Sequence, residues 1–545
     1  MNIKSNWIRS AFTAALIISV GLSSCKKSDA EVDPTNPSTP NPSSSERADL
    51  TKDSIFYYAK EVYLWNEALP NYNDFKPRSF IAGTDLLSYE AELFQITRYG
   101  TDAETGKPYE YNKSAPEYPK YSYISDLEDR NPDAVMVTKS AVNTDGVGFD
   151  MGIYSFSAFG TDNNYRLYIK AVYPGSPAAA KGLTRGAEIT TIDGKRIGTN
   201  FNSEKDLINE LLDNSKSSAK LKGNKVDGTA FDITLERASY NSSPVYKKKI
   251  FEVNGKKVGY VHLGRFSRMT SPEGANPSDA NLDPVFAEFA REGLTDLIVD
   301  LRYNGGGYVN TAEHLINLIA PATANGVMYK EVYNKNLQDI NRSTSILKYQ
   351  PLTDANGNIR FDAQNKMLTY ANVDYSIAGN TASFKKAGAL TGVKNIVFIV
   401  TGNTASASEL TINALKPYVN VKLVGQTTYG KPVGFFPVTI ENRYDVYFSM
   451  FETLNSRDEG KYYAGMKPDV SSETDDAKRD FDDASENYIA RALEILAPGR
   501  VTNTQASMSV KGRNGVTLNL SPSMTEKLKN PNTFVGMIET RQKLK

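Results

Sequence analysis

Ile396-Val397-Phe398-Ile399-Val400, followed closely by Thr404-Ala405-Ser406-Ala407-Ser408-Glu409, is the stretch on which the reading of this chain turns. The apolar run reads as a buried strand, and Glu409 to Lys416 reads as a helix leaving it. Ser406 therefore falls where a strand hands over to a helix N-terminus. Free backbone N–H groups and the positive end of the helix dipole gather there, which suits an anionic transition state. A serine becomes a nucleophile only beside a base, and a lysine held neutral can serve. Lys431, in Thr427-Thr428-Tyr429-Gly430-Lys431, is the candidate. An ordinary lysine titrates near 10.4, so a base working near neutrality requires roughly 4 kcal/mol of bias toward the neutral amine. Burial supplies such a bias, and Phe435 and Phe436 are candidates to provide it. Pro432 holds Lys431 extended. Serines also cap helices, and Ser408 is the better candidate for that structural role.

At 545 residues, three or four domains are expected. The 63 basic and 63 acidic residues balance, so no global field favours nucleic acid or anionic lipid. Lys4 and Arg9 precede an apolar run from Ala11 to Leu22, then Leu22-Ser23-Ser24-Cys25. A basic start, a short apolar core and small residues before a cut read as an export signal. The run is well short of the roughly 20 residues that span a bilayer. Cys25 is the single cysteine, so no intramolecular disulfide forms. The Leu-Ser-Ser-Cys order resembles the lipobox of bacterial lipoproteins, which implies an exported chain anchored in the cell envelope by acyl groups on Cys25.

Five regions follow the signal at 1–24. Residues 25–47, rich in Pro, Ser and Asn, read as a tether. Residues 48–130 read as a small helical domain, with helices over 51–69 and 85–98 and no cluster of chemical groups. Residues 131–240 read as short strands and turns. Residues 241–498 alternate strands and helices, an α/β core closed by a helix over 484–496, with a polar insertion at about 325–392. Residues 499–545 form a tail. The fold class is thus multidomain, mixed α/β and α+β.

Gly146-Val147-Gly148-Phe149, Pro174-Gly175-Ser176-Pro177-Ala178 and Ile192-Asp193-Gly194, in this order, resemble a PDZ domain of the bacterial protease-associated type. The resemblance implies that the amides of Gly146, Val147, Gly148 and Phe149 receive a peptide carboxylate, and that a strand edge accepts the peptide. Asp300-Leu301-Arg302-Tyr303-Asn304-Gly305-Gly306-Gly307, the Ser406 segment and Gly430-Lys431, with 25 residues from Ser406 to Lys431, resemble the C-terminal processing peptidases, or tail-specific proteases, including lipoprotein members of Bacteroidetes type. The resemblance covers about 140–497. It implies a core of ClpP/crotonase-like fold, Ser406 as nucleophile, Lys431 as general base, and an oxyanion hole from the amides of Gly307 and Ala407. It implies protein or peptide substrates and neither metal nor organic cofactor. Many members carry a glutamine four residues after the lysine. Phe435 stands there in this chain, so either another polar group, such as Thr427 or Thr428, orients the amine, or the site is impaired.

Two alternatives stay open. One is a degenerate core that binds peptides through the PDZ domain without cutting. The other is a Ser-His site using His262 or His314, the only histidines, both expected to be structural. Gly425 to Lys431 also approaches a phosphate-binding loop, but Pro432 replaces the residue that would hold Mg²⁺.

Overall fold

The computed structural model describes residues 44–128, 142–213, 216–272, 276–354, 358–472, 475–499, 509–512, 516–529, 536–538 and 544. The chain divides into two compact units, residues 1–47 and 48–545. The expected signal, most of the tether, and Cys25 lie outside the described residues. No described helix is long and apolar enough to cross a membrane.

The core of the second unit is a six-stranded sheet in the order Val245–Val253, Lys256–Leu263, Asp296–Asp300, Asn395–Val400, Asn420–Gly425, Val470–Ser471. The first pair is antiparallel and all the others are parallel. The central strands are apolar along nearly their whole length because both faces are covered. Leu297, Val299, Ile396, Phe398 and Val400 pack into one cluster with the helices Asp283–Arg291, Val309–Ile319 and Ala407–Leu415. The alternate residues Ile298, Val397 and Ile399 face a second cluster containing the closing helix Asn487–Leu496. The period of two thus assigns one row of side chains to each layer.

Parallel strands end at the same edge. The turns after Asp296–Asp300 and Asn395–Val400 carry Asn304–Gly307 and Ser406, and the loop after Asn420–Gly425 carries Lys431. These three strands are immediate neighbours in the sheet. The three motifs therefore share the crevice at the carboxyl ends of the strands, where open α/β sheets place their ligands.

The fold class follows expectation, a mixed helix-and-sheet protein built on an α/β core. In the β-rich region, Ile153–Thr161, Asn164–Val172, Glu188–Ile192, Ser218–Asn224 and Ala230–Glu236 form an antiparallel sheet, with the helix Phe201–Asn209 capped by Asn200. The N-terminal helices run over Ser44–Val62 and Asp85–Ile96. The region around 325–392 is more than a polar loop. Its Leu337, Leu347, Leu352 and Tyr370 share one core with Ile55, Val62 and Leu93 of those helices.

The turn after Asp296–Asp300 is held by a buried ion network. Arg302 grips Asp300 through Nε (3.0 Å) and Nη2 (2.8 Å) and reaches Glu486 at 2.9 Å. Glu486 also caps the closing helix by accepting from Tyr488 and Ile489 N–H. Arg185, from the β-rich region, donates to Tyr303 Oη (2.8 Å) and pairs with Asp475, tying that region to the same turn.

Candidate active site

Ser406 is the residue just before the helix Ala407–Leu415, with φ 60° and ψ −112°. A non-glycine residue in such a conformation costs of order 1–3 kcal/mol and persists only where its surroundings force it. Its hydroxyl is buried and has no hydrogen-bond partner among the described residues, a further cost of about 1–3 kcal/mol. Ser406 stands at the N-cap and its N–H donates to the Glu409 carboxylate as in a capping box, but the positive φ is not that of an ordinary capping serine. The structural role falls to Ser408, whose hydroxyl donates to the Asn304 carbonyl at 3.0 Å.

The Asn304 carbonyl also accepts from Ala405 N–H (3.2 Å), so the glycine turn and the serine loop are stitched together. A side chain at Gly306 would strike the Ser406 Cβ at 3.1 Å. Only glycine lets the turn lie this close to the serine. Gly306 and Gly307 both have positive φ, 113° and 135°. Ala407 is the first helical residue, where the N–H lacks an acceptor within the helix.

Lys431 is buried, and burial lowers its amine from the usual 10.5 to about 8, with the carboxylates of Glu110 and Glu409 pulling it partway back up. Its Nζ stands 4.6 Å from the centre of the Phe435 ring. Phe435 therefore walls the amine, as expected. Phe436 stacks on Tyr370 instead, at 4.3 Å, within the N-terminal core.

The residue that joins the two candidates is Glu409. One oxygen of its buried carboxylate accepts from the backbone N–H of both Ser406 (2.9 Å) and Lys431 (2.8 Å). The other accepts from Gly430 N–H (2.7 Å) and from the Thr428 hydroxyl. Burial raises the Glu409 carboxyl and these four donors draw it back. Thr428 thus acts on the lysine loop through Glu409. The sequence places Glu409 on the serine helix but holds no sign that its carboxylate faces the lysine loop.

The N-terminal region, chemically blank as a sequence, closes over the same loop. The Tyr121 hydroxyl donates to the Gly430 carbonyl, and Tyr429 donates to the Lys120 carbonyl at 3.0 Å. Glu110 is fully buried and accepts from Ser122 N–H (2.8 Å) and the Ser449 hydroxyl (2.9 Å).

Neither histidine bonds to Ser406. His262 lies among Phe481, Tyr246 and Tyr303, and burial lowers it to about 4. His314 pairs with Asp283 at 2.5 Å. At the expected peptide-carboxylate loop, Val147–Asp150 is a strand paired with Ala238–Asn241. The Gly146 and Val147 amides donate to the Asn143 carbonyl (3.0 Å) and side-chain oxygen (2.9 Å).

A strained serine, a buried lysine and a glycine turn thus gather at the carboxyl edge of the parallel sheet. Residues 257–472 match the family model of peptidase family S41. The carboxy-terminal processing protease CtpA of Bacillus subtilis is 23% identical over 339 residues, 61% of this chain and 60% of that protein. The carboxyl-terminal-processing protease of a Picosynechococcus strain is 28% identical over 260 residues, 47% of this chain and 49% of that protein. The chain thus spans about half to three-fifths of the length of these curated relatives. An S41 protease from Bacteroides fragilis shares the fold, with TM-score 0.51 and 22% identity over 82% of this chain and 97% of that one. The 257–472 core thus matches peptidase family S41, and the chain is similar to C-terminal processing proteases.

Proposed function

We propose that the chain is a serine endopeptidase with a Ser-Lys mechanism. The observation that carries this reading is the shared Glu409 oxygen, which binds the backbones of a strained Ser406 and a buried, easily deprotonated Lys431. The neutral Lys431 amine takes the Ser406 proton as Oγ attacks the scissile carbonyl. The oxyanion is received by the Gly307 and Ala407 amides, where one good donor is worth roughly 3 kcal/mol. The proton then passes to the leaving amine, and water hydrolyses the acyl-enzyme. The β-rich region serves as a PDZ domain that captures the substrate chain. Export and acylation of Cys25 would place this chemistry at the cell envelope; labelling with a radioactive or clickable fatty acid, lost in Cys25→Ala, tests that part.

Digestion of an unstructured protein such as casein tests the mechanism. Ser406→Ala and Lys431→Ala should each lower cleavage at least 10³-fold, while His262→Ala and His314→Ala, where folded, retain it. Cleavage by both Ser406→Ala and Lys431→Ala at the wild-type rate would sink the peptidase reading. Loss in a histidine variant with Lys431→Ala still active would move the base to that histidine. Peptide binding without any cleavage by the wild type would mark a degenerate core.

A further inference from the structure

The tail of the chain lies where a captured peptide should lie. Within 509–529 it forms a small hairpin, Ser509–Lys511 with Thr517–Asn519, and then one helical turn, Pro522–Glu526, capped by Ser521. This segment runs antiparallel to the strand Ile153–Thr161. Leu520 bridges Phe159, and Ser521 N–H donates to the Ala158 carbonyl at 2.9 Å. The Ala158 N–H donates to the Thr525 hydroxyl (3.1 Å), and the Ser155 hydroxyl to the Lys529 carbonyl (3.1 Å). The opposite wall is the helix Phe201–Asn209, whose Asn209 side chain accepts from Lys529 N–H at 2.7 Å. Met524 and Leu528, four residues apart on one face, sink into the same apolar cluster as Phe156 and Ile208. The tail thus descends a strand-and-helix groove toward the start of Ile153–Thr161, the end that Gly146–Phe149 precedes in the chain.

A second part of the tail reaches the catalytic turn. Gly536–Ile538 pairs in parallel with Gly306–Tyr308, and Gly536 N–H donates to the Gly305 carbonyl at 3.1 Å. In a parallel ladder with that bond, the next donor is Gly307 N–H, which faces the Gly536 carbonyl. That carbonyl oxygen lies over Gly306, where an added Cβ would also meet the Ser406 Cβ at 3.1 Å. Met537 is buried in the core cluster beside Phe266 and Val309.

We propose that the chain's own tail is the resident occupant of the groove between Ile153–Thr161 and Phe201–Asn209, held there by one Ser-capped helical turn and two apolar anchors four residues apart. Residues 516–529 thereby exclude substrate from the groove, and Gly536–Ile538 exclude it from the strand Gly306–Tyr308. The proposal rests on the peptidase reading, but docking is measured without catalysis. The tail binds intramolecularly, at an effective concentration in the millimolar range, so a peptide in solution competes poorly until the tail is released.

The test uses the full chain carrying Ser406→Ala, and a fluorescent synthetic peptide of residues 516–538 read by anisotropy. Met524→Asp with Leu528→Asp should release the tail and tighten peptide binding at least tenfold. Lys529→Glu breaks the ion pair with Asp213 (2.8 Å) and leaves the apolar cluster intact. It should tighten binding two- to fourfold, and adding Asp213→Lys should reverse that. With active Ser406, the released variant should cleave casein with a lower KM. Peptide affinity unchanged within twofold in both folded tail variants overturns the proposal, whether or not casein is cut. Unchanged cleavage together with tighter peptide binding overturns its second half, exclusion of substrate.

Discussion

Ser406 and Lys431 are each held in a state that water would not leave them in. The serine bears a positive φ and an unbonded buried hydroxyl. The lysine bears an amine lowered to about 8. In the proposed mechanism the neutral amine is the base, so kcat/KM should rise with pH through a midpoint near 8 and level off above it, against a midpoint above 10 for an exposed lysine. Glu110 stabilises the protonated amine, so Glu110→Gln should move that midpoint to lower pH, whatever it does to the maximal rate; a pH–rate profile reads the shift. Bringing the amine from 10.5 to about 8 corresponds to roughly 3 kcal/mol. The unfolded chain keeps the proton up to about 10.5, so this cost is present in full below pH 8 and fades as pH rises from 8 to 10.5. Lys431→Met should therefore be inactive yet more stable by about 2–3 kcal/mol at pH 7, measured by urea unfolding. The sequence displays both residues and their spacing. It does not display Glu110, which lies 321 positions before Lys431, because no local pattern marks a carboxylate destined to face a distant amine.

Among the elements, the turn after Asp296–Asp300 shows why Asp300-Leu301-Arg302 precedes the glycines. Arg302 is fully buried between Asp300 and the helix-capping Glu486, both also fully buried. Removing the cation leaves two carboxylates in the interior, and breaking such a buried network costs about 3–5 kcal/mol. Arg302→Met should lower unfolding free energy by that amount and should weaken activity by loosening the glycine turn; chemical denaturation with a parallel casein assay checks both. The strand Asn395–Val400 and the helix after Ser406 are legible as sequence because period and composition report burial directly. The closing helix is legible too, beginning at Asn487 rather than 484 because the Glu486 carboxylate caps it. The region 325–392 is not legible in this way. Its apolar residues are scattered, and they find their neighbours only when Leu337 and Leu347 meet Ile55 and Val62.

At the scale of the molecule, the lysine loop is gripped from a region nearly the whole catalytic core away in sequence. Tyr121 and Lys120 hold Gly430 and Tyr429 while Tyr109 and Trp65 stack at 4.4 Å and pack against Tyr463. Tyr121→Phe removes one buried hydrogen bond, worth about 1 kcal/mol of stability. Its larger effect should be on kcat, severalfold and up to about 10²-fold, since small displacements of a catalytic group are costly. A fall in thermal midpoint without any change in kcat would show that the grip is structural only. Arg185 works in the same way from the β-rich region, joining it to Tyr303 and Asp475 beside the glycine turn.

The sequence by itself determined the parallel core, the strand-to-helix turn at Ser406, the glycine turn and the lysine that follows. These are consequences of local periodicity, of backbone freedom at glycine and of short-range spacing. The tertiary structure alone decided what else surrounds and tunes the lysine: Glu409 across from it, Glu110 and Tyr121 over it. It alone decided that the tail returns to the groove and to Gly306–Tyr308. Electrostatic and packing partners act through space over a few ångströms, and which residues come that close depends on the fold of the whole chain.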